Sequence, residues 1–381
     1  MNGRFGSDHD GPDEGLELSD VQTMFAEFAT NLPELPLYAA ICRGVAADPE
    51  AAAPLLAASA GQRRPVLWLA ALHDLVLRDP AVAAARWYAG AAARDPAPPG
   101  DPWPDVRCTV LEHRDTLTET IATHSTQTNE VNRAVYLAAA FGAACADVAE
   151  QTVALVEMGA SAGLLLLLDH YRIERRSSHG NSLVGAPHSP VVCVGEDRSD
   201  TVSPAAPLPI VASRVGLDLH PVAIDDVVGL RWLEACLWPD VPGRLERFRS
   251  AVELAREHPP TLVRGDMVDD LAAVVALAQQ NARPSSQVVV FSSWALTYVA
   301  RERRQRVAEV LDRAAARGVP VSWVTAEPMG CMPGVTLPPS LTAHDATTVL
   351  AVRRWRDGSE TEPRVLGTCH PHGEWIDLTV G

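Results

Sequence analysis

The pattern of apolar residues after residue 150 constrains the fold more than any other feature of the chain. From there on, short runs rich in β-branched residues alternate with segments of helical periodicity. Buried strands of a parallel sheet are continuous apolar runs, and connecting helices cover both faces of such a sheet. The pattern therefore predicts an α/β domain over residues 151–381 with a mostly parallel sheet. The predicted strands are 152–158, 211–219, 261–264, 287–292, 319–325, 348–355 and 374–380.

The remainder of the chain differs in composition from this domain. Residues 17–150 show helical periodicity, as in the spacing of apolar residues over 19–30, and are predicted to form an N-terminal helical domain. Residues 1–16 are polar and acidic and are predicted to be a disordered tail. Residues 173–210 are rich in Ser, Gly and Pro and are predicted to be an insertion in the second domain.

The charge of the chain disfavours two classes of partner. The net charge of −16 argues against general affinity for nucleic acid or for an anionic membrane, because both attract a positive protein surface. All positively charged side chains are arginine, so Schiff-base lysine chemistry and a phosphate-loop lysine are excluded. Any general base must then be a carboxylate, a histidine or a cysteine. The expected partner is a small-molecule substrate.

Targeting and redox features are sparse. No signal-peptide pattern and no long uninterrupted apolar run are present, so a cytoplasmic protein is expected. The seven cysteines are scattered without C-x-x-C spacing, which indicates neither a zinc site nor a disulfide framework.

The strongest local motif lies where the first predicted strand ends. Glu157 closes the apolar run, and Gly159, Ser161 and Gly163 follow within a small-residue turn before a predicted helix at 163–172. Small residues let a ligand approach the backbone closely, and a helix start offers free N–H groups. The spacing fits the dinucleotide pattern G-x-G-x-x-G poorly, because the last glycine of that pattern falls one residue later.

Two other interpretations of this turn are open. In a nucleophile elbow of a hydrolase, Ser161 would be the nucleophile, but that interpretation leaves Glu157 unexplained. A tight strand-to-helix turn that binds no ligand would have a similar sequence. The motif also resembles the first motif of class I S-adenosylmethionine-dependent methyltransferases, with Ser161 in place of the middle glycine. This resemblance implies that Glu157, Gly159, Ser161 and Gly163 hold the amino-acid and sugar parts of S-adenosylmethionine.

Three later segments resemble the next methyltransferase motifs in the same order. Residues 214–224 resemble the second motif, which implies that Asp218 accepts the ribose hydroxyls. Residues 262–267 resemble the third strand, which implies that Asp266 faces the adenine amino group. Residues 288–294 resemble the fourth strand, which implies that its end lies over the methyl-transfer site and contacts the acceptor. The acceptor-binding residues implied there are Ser292, Ser293 and Trp294.

The chain also resembles a narrower bacterial family known as domain of unknown function 2332, over about residues 20–380. This resemblance implies a Rossmann-like, methyltransferase-type fold but no established reaction. Two positions depart from the family pattern: Leu165 stands where asparagine is usual, and Ser292 where histidine is common. The segments that carry the resemblance are T-Q-T-N-E (126–130), E-x-G-A-S-A-G-L (157–164), G-L-D-L-x-P (216–221), R-W-L-E-A-x-x-W-P (231–239), V-R-G-D (263–266) and C-H-P-H-G-x-W (369–375).

Acid–base candidates come from three segments. In 126–130, Asn129 and Glu130 either belong to a helix cap or lie over the cofactor cleft, where Glu130 would be a general base and Asn129 would contact substrate. His220 follows Asp218 at a strand end and is a second acid–base candidate. The histidines of 370–372 suit a surface turn better than a metal site, because alternate residues on an extended segment point to opposite faces.

These observations lead to one preferred hypothesis, methyl transfer from S-adenosylmethionine to a small-molecule acceptor. Its rival is a methyltransferase fold with a degenerate pocket that binds a ligand or partner without methyl transfer. A third hypothesis is a different reaction in the same pocket. The acceptor and the oligomeric state stay open at this point.

Overall fold

The computed structural model describes most of the chain. The described residues are 17–32, 34–92, 100–145, 152–200, 207–335, 347–356, 358–361 and 363–378. The predicted acidic tail, residues 1–16, lies outside them. The chain forms two compact units, which we call the helical unit (Met1–Asn129 with Asp226–Phe248) and the sheet unit (Glu130–Asp225 with Arg249–Gly381).

Helices follow the apolar periodicity of the sequence closely. The ranges are α1 (Leu18–Thr30), α2 (Pro36–Ala47), α3 (Pro49–Ala52), α4 (Pro65–Arg78), α5 (Ala85–Ala92), α6 (Trp103–Glu112), α7 (Arg114–Thr123), α8 (Ala134–Ala144), α9 (Val227–Ala235), α10 (Arg244–Glu257), α11 (Leu271–Gln280) and α12 (Arg301–Ala316). Prolines begin α2, α3 and α4, where a missing N–H costs nothing.

The helical unit has its own apolar core. Phe25 of α1 packs edge-on against Trp68 of α4 with ring centroids 5.6 Å apart. Asp226 caps α9 by accepting a hydrogen bond from Gly229 at 2.9 Å. Arg231 of α9 forms an ion pair with the nearly buried Asp74 of α4 at 2.7 Å. Both apolar packing and this ion pair therefore join α9 to the earlier helices.

Strands of the sheet unit form one mixed sheet. The strands are β1 (Thr152–Met158), β2 (Arg172–Arg176), β3 (Ser182–Gly185), β4 (Val192–Asp197), β5 (Ile210–Asp218), β6 (Thr261–Arg264), β7 (Gln287–Ser293), β8 (Val321–Pro328), β9 (Thr348–Arg356), β10 (Ser359–Glu360), β11 (Arg364–Cys369) and β12 (Trp375–Leu378). Their order is β3-β2-β4-β12-β11-β9-β8-β7-β1-β5-β6, with β10 paired to β9.

The α/β class predicted from the sequence is confirmed, but the sheet is mixed rather than mostly parallel, because six of the strand pairs among the described residues are parallel and five are antiparallel. Strands β6, β5, β1, β7 and β8 are parallel, as predicted. Beyond β8, the β8–β9, β9–β11 and β11–β12 pairs are antiparallel. The β9–β11 and β11–β12 connections are short, which suits antiparallel neighbours, whereas the 19 residues between β8 and β9 leave the direction of that pair open.

The segment 173–210, predicted to be an insertion, contributes strands to the same sheet. Its described residues contain most of β2, all of β3 and β4, and the first residue of β5. Strand β4 pairs with β12, so the segment extends the far end of the sheet rather than looping away from it. The burial of β2 and β3 alternates weakly, which explains why their sequences resemble those of loops.

Strands β1 and β7 form the buried centre of the sheet. On one face, Val156, Val290 and Trp323 pack into a single apolar core with α11 and α12. On the other face, Phe141 of α8 packs edge-on against Phe291 of β7 at 5.2 Å. The predicted helix over 163–172 is instead a 3-10 helix, Leu164–His170. In the described residues, we find no helix with the length and apolarity needed to cross a membrane.

Candidate functional site

The candidate site lies at the carboxyl ends of the parallel strands. After β1 the chain forms β2, β3 and β4 at the far end of the sheet. It then adds β5 and β6 on one side of β1 and returns to add β7 and β8 on the other side. Ligands of open α/β sheets bind outside the strand ends at such a reversal of strand order. The residues that follow β1, β5, β7 and β8 therefore define the site.

The turn after β1 has a backbone that its glycines make possible. Gly159, Ser161 and Gly163 all have positive φ angles, of 74°, 53° and 68°. A Cβ atom on Gly159 would lie 2.7 Å from Cβ of Ala295, and one on Gly163 would lie 2.9 Å from Cγ of Pro260. The two glycines are thus required both by conformation and by space.

Asp218 connects this turn to the loop after β5. Its Oδ2 accepts a hydrogen bond from the Ser161 N–H at 2.8 Å, and its Oδ1 accepts one from the His220 N–H at 2.8 Å. The Ser161 carbonyl in turn accepts from Val222 N–H at 3.1 Å. His220 is exposed, and it is its backbone that contacts Asp218. The predicted cofactor residues Ser161 and Asp218 therefore lie side by side.

Asp266 is predicted to contact adenine, but other residues of the protein already form hydrogen bonds with its carboxylate. The carboxylate accepts from Val268 N–H at 2.8 Å and from Asp269 N–H at 3.0 Å. Arg303 of α12 donates to both of its oxygens, at 2.8 and 3.2 Å. Partial burial raises the pKa of Asp266, but these N–H groups and Arg303 outweigh it and hold the pKa below its usual value.

Glu157 at the end of β1 is a buried acid with an unusual environment. Its side chain is 4% exposed, and its Oε2 has no hydrogen-bond partner. Burial raises the pKa of Glu157 well above its usual range, the nearby Asp218 raises it further, and Arg133 opposes both effects. Groups whose pKa is strongly shifted by burial and a neighbouring charge are enriched at functional sites, so Glu157 is a candidate ligand contact.

Arg133 is a site residue that the sequence analysis missed. It precedes α8, is 6% exposed, and donates through Nε to the Pro371 carbonyl at 3.1 Å and through Nη1 to the Ser293 carbonyl at 3.0 Å. Tyr136, one turn later, shares a hydrogen bond with the Ser293 hydroxyl at 2.8 Å. Only its position after the T-Q-T-N-E segment could have singled out Arg133.

Glu327 near the end of β8 is a second residue that the sequence analysis missed. Its side chain is 1% exposed, and its Oε1 accepts from Ala295 N–H at 3.1 Å and Leu296 N–H at 3.3 Å. Burial raises the pKa of Glu327 to about 7, although those N–H groups, the Ser292 hydroxyl and Arg133 lower it. An acid at the end of an apolar strand was the signal available in the sequence.

The predicted acceptor residues Ser292, Ser293 and Trp294 lie at the end of β7. Ser292 is buried beside Glu327, whereas Ser293 and Trp294 are half-buried. Trp294 has a positive φ of 58°, which costs an L residue about 1 kcal/mol, and its indole N–H donates to the Thr348 hydroxyl at 2.8 Å. The chain thus turns sharply away from the sheet at Trp294.

The T-Q-T-N-E segment ends in two buried residues that belong to different units. Glu130 is 3% exposed and caps the 3-10 helix Val131–Arg133 by accepting from Asn132 N–H at 2.9 Å. This contact agrees with the helix-cap interpretation of the segment, except that the capping residue is Glu130. Asn129, the last residue of this stretch of the helical unit, is 5% exposed, and its Nδ2 has no hydrogen-bond partner.

Asn132 fixes the turn between β11 and β12 beside Arg133. Its Oδ1 accepts from Val194 N–H at 2.9 Å, and its Nδ2 donates to the Val194 and Gly373 carbonyls, each at 3.0 Å. Within that turn, His372 N–H donates to Nδ1 of His370 at 3.2 Å. The histidine turn therefore lies at the same edge as the ends of β7 and β8.

Comparison with known proteins places the whole arrangement in one family. Residues 22–378 match the family described as "Uncharacterized protein conserved in bacteria (DUF2332)". The chain belongs to the DUF2332 family. No curated protein and no solved structure matches the chain. The resemblance to this family found in the sequence is confirmed, and the methyltransferase motifs stay predictions within the DUF2332 framework.

Proposed function

We propose that the sheet unit transfers a methyl group from S-adenosylmethionine to a small-molecule acceptor. The order β6-β5-β1-β7-β8 supports the proposal, because five neighbouring parallel strands whose order reverses at β1 resemble the centre of a Rossmann-like sheet, although β2, β3 and β4 interrupt the connection from β1 to β5. The order of the motifs along the chain also supports it. A methyltransferase-type domain is accordingly part of the proposal, as are the small-molecule partner and a cytoplasmic location.

One observation carries the proposal: the positive-φ turn Gly159–Gly163 is held against Asp218. The carboxylate binds the Ser161 N–H with Oδ2 and the His220 N–H with Oδ1, which orients both oxygens at the strand end. Each carboxylate oxygen can accept more than one hydrogen bond, so Asp218 still has acceptor capacity for ribose hydroxyls. Beside Asp218, the glycine turn lets a ligand approach the backbone closely.

The other site residues are expected to contact different parts of the ligand. Glu157 would meet the amino-acid part, since its buried Oε2 lacks a donor. Bound S-adenosylmethionine supplies an activated methyl group on a sulfonium centre. The chain then has to orient the acceptor in line and remove a proton where the acceptor has one to lose. Asp266 fits less well, because Arg303 and the backbone already occupy its carboxylate.

That engagement of Asp266 favours a second candidate function, ligand binding without methyl transfer or a different reaction in the same pocket. The strain at Ser161 favours it as well, because a glycine would adopt this conformation without cost. Under this second hypothesis the turn and Asp218 would still bind a ligand, but the adenine contact expected of a methyltransferase would be missing.

Calorimetric titration with S-adenosylmethionine and S-adenosylhomocysteine tests the proposal. We expect binding of both, and we expect Asp218→Ala to weaken it by about 10- to 100-fold, the effect of losing hydrogen bonds to a charged group. Asp225→Asn is the matched control, because Asp225 is exposed and lies in the loop that follows β5. Absence of binding at millimolar concentration would exclude the cofactor. Binding that Asp218→Ala leaves unchanged would exclude the assigned pocket.

A further inference from the structure

Arg133 is a buried cation whose hydrogen bonds all go to neutral groups. Its two bonds join the guanidinium to the carbonyl oxygens of Pro371 and Ser293. Within the part of the chain that the structure describes, no carboxylate lies within 4.0 Å of its nitrogens. A guanidinium has five N–H donors, so three of them remain without a described acceptor. Burying a charge in this way is unfavourable unless a counterion joins it.

A second buried arginine of the sheet unit, Arg353, has its charge compensated by a carboxylate. Arg353 is 5% exposed, close to the value for Arg133, and it binds Glu360 bidentately at 2.5 and 2.7 Å. Bidentate pairing with a carboxylate is the usual way in which a buried arginine is compensated. Arg133 is equally buried and lacks that partner.

The surroundings of Arg133 favour an anion from outside the protein. Helix α8 begins at the next residue, Ala134, and continues the 3-10 helix Val131–Arg133, so the helix dipole adds partial positive charge near Arg133 although the Ala134 N–H is already bonded. Glu157 and Glu327 feel the charge of Arg133, but neither carboxylate contacts it.

We propose that Arg133 binds a carboxylate group of a ligand at the strand ends. Two sources of this carboxylate are compatible with the site: the amino-acid part of S-adenosylmethionine, or the methyl acceptor. The anion site itself is inferred from Arg133 and does not depend on the proposed function. Assigning it to the cofactor rests on the proposed function, with Glu157 facing the ammonium of the same zwitterion.

The experiment uses the full chain and three probes. The stability of the protein in acetate, compared with its stability in chloride at the same ionic strength, tests for the anion site itself. S-adenosylhomocysteine and 5′-methylthioadenosine share the nucleoside and thioether, but only the first carries the amino-acid part, so the pair tests the source of the carboxylate. For a carboxylate on the cofactor, we expect acetate to compete with S-adenosylhomocysteine and not with methylthioadenosine. We also expect Arg133→Gln to weaken S-adenosylhomocysteine about tenfold or more while methylthioadenosine changes little.

Two further variants separate binding from folding. Arg304→Gln is the matched control, because Arg304 also donates only to carbonyls, Leu296 at 3.0 Å and Val299 at 2.8 Å, yet is half-buried. We expect it to leave the binding of all three probes unchanged. Arg133→Lys keeps the charge without the planar fork and should restore part of the lost affinity. The acetate competition on the unaltered protein decides the matter even if Arg133→Gln fails to fold.

Each pattern of results has one meaning. If acetate stabilises the protein through Arg133 while both nucleosides bind equally, the anion site stands and the acceptor carries the carboxylate. If neither nucleoside binds but the acetate effect depends on Arg133, the proposed function fails and the anion site survives. If acetate acts no differently from chloride, and Arg133→Gln weakens both nucleosides equally or neither, the inference is overturned.

Discussion

Replacing Glu327 with glutamine should change how the stability of the protein depends on pH. Glu327 is buried, and its pKa rises from the usual 4.5 to about 7 in the fold. Between these two values the folded protein holds a proton that the unfolded chain has released. The wild-type free energy of unfolding therefore contains a contribution from Glu327 that falls as pH rises from about 4.5 to about 7.

The size of this effect follows from the difference between the two pKa values. About 2.5 pKa units at about 1.4 kcal/mol each give roughly 3 kcal/mol lost across that window. Glu327→Gln removes the titration but keeps a carbonyl oxygen that can accept from Ala295 and Leu296. We therefore expect the stability of the variant relative to wild type to increase by up to about 3 kcal/mol between pH 4.5 and pH 8.

Urea denaturation followed by tryptophan fluorescence measures this difference directly. The two proteins are compared at half-unit steps of pH, so that every other titrating group, Glu157 included, cancels. Glu309→Gln on the exposed face of α12 serves as the control, and its difference from wild type should stay flat. A flat profile for Glu327→Gln, or one in which wild type gains stability relative to the variant as pH rises, would refute the reasoning.

Backbone strain at the turn after β1 gives two further predictions. Ser161→Gly should raise the free energy of unfolding by up to about 1 kcal/mol in urea titrations, because it relieves the positive φ of 53°; a loss of stability would show that the hydroxyl matters more. Gly159→Ala should cost clearly more than Gly318→Ala, because both positions have positive φ but only Gly159 also has a Cβ clash, at 2.7 Å. Equal losses for the two alanine variants would contradict the clash.

The sequence predicted the strands of the parallel core and strands β9 and β12 well, and it missed β2, β3, β4, β10 and β11. Strands β1 and β6 begin and end at the predicted residues, and for β1 the reason is that a strand buried on both faces has an unbroken apolar sequence. Strands β2, β3 and β4 are short, contain charged residues or Ser and Gly, and lie within a segment rich in Ser, Gly and Pro, so they were not recognised in the sequence. Pairing across the sheet, not local pattern, makes them strands.

The candidate site divides in the same way. The turn from Gly159 to Gly163 and Asp218 could be found in the sequence, because each lies directly after an apolar strand. Arg133 could not be found, whereas Glu327, an acid near the end of the apolar strand β8, was overlooked. The carbonyl partners of Arg133 are 160 and 238 residues away along the chain, so no local motif records them.

By itself, the sequence determined where the strands of the parallel core run and which turn needs glycine. It also excluded lysine chemistry, because no lysine is present. Only the tertiary structure decided which charges are paired: Arg303 occupies Asp266, whereas Arg133 and Glu157 are buried without an ionic partner among the described residues. The physical reason is that desolvation and charge pairing depend on what surrounds a side chain in space, and residues distant in sequence supply those surroundings.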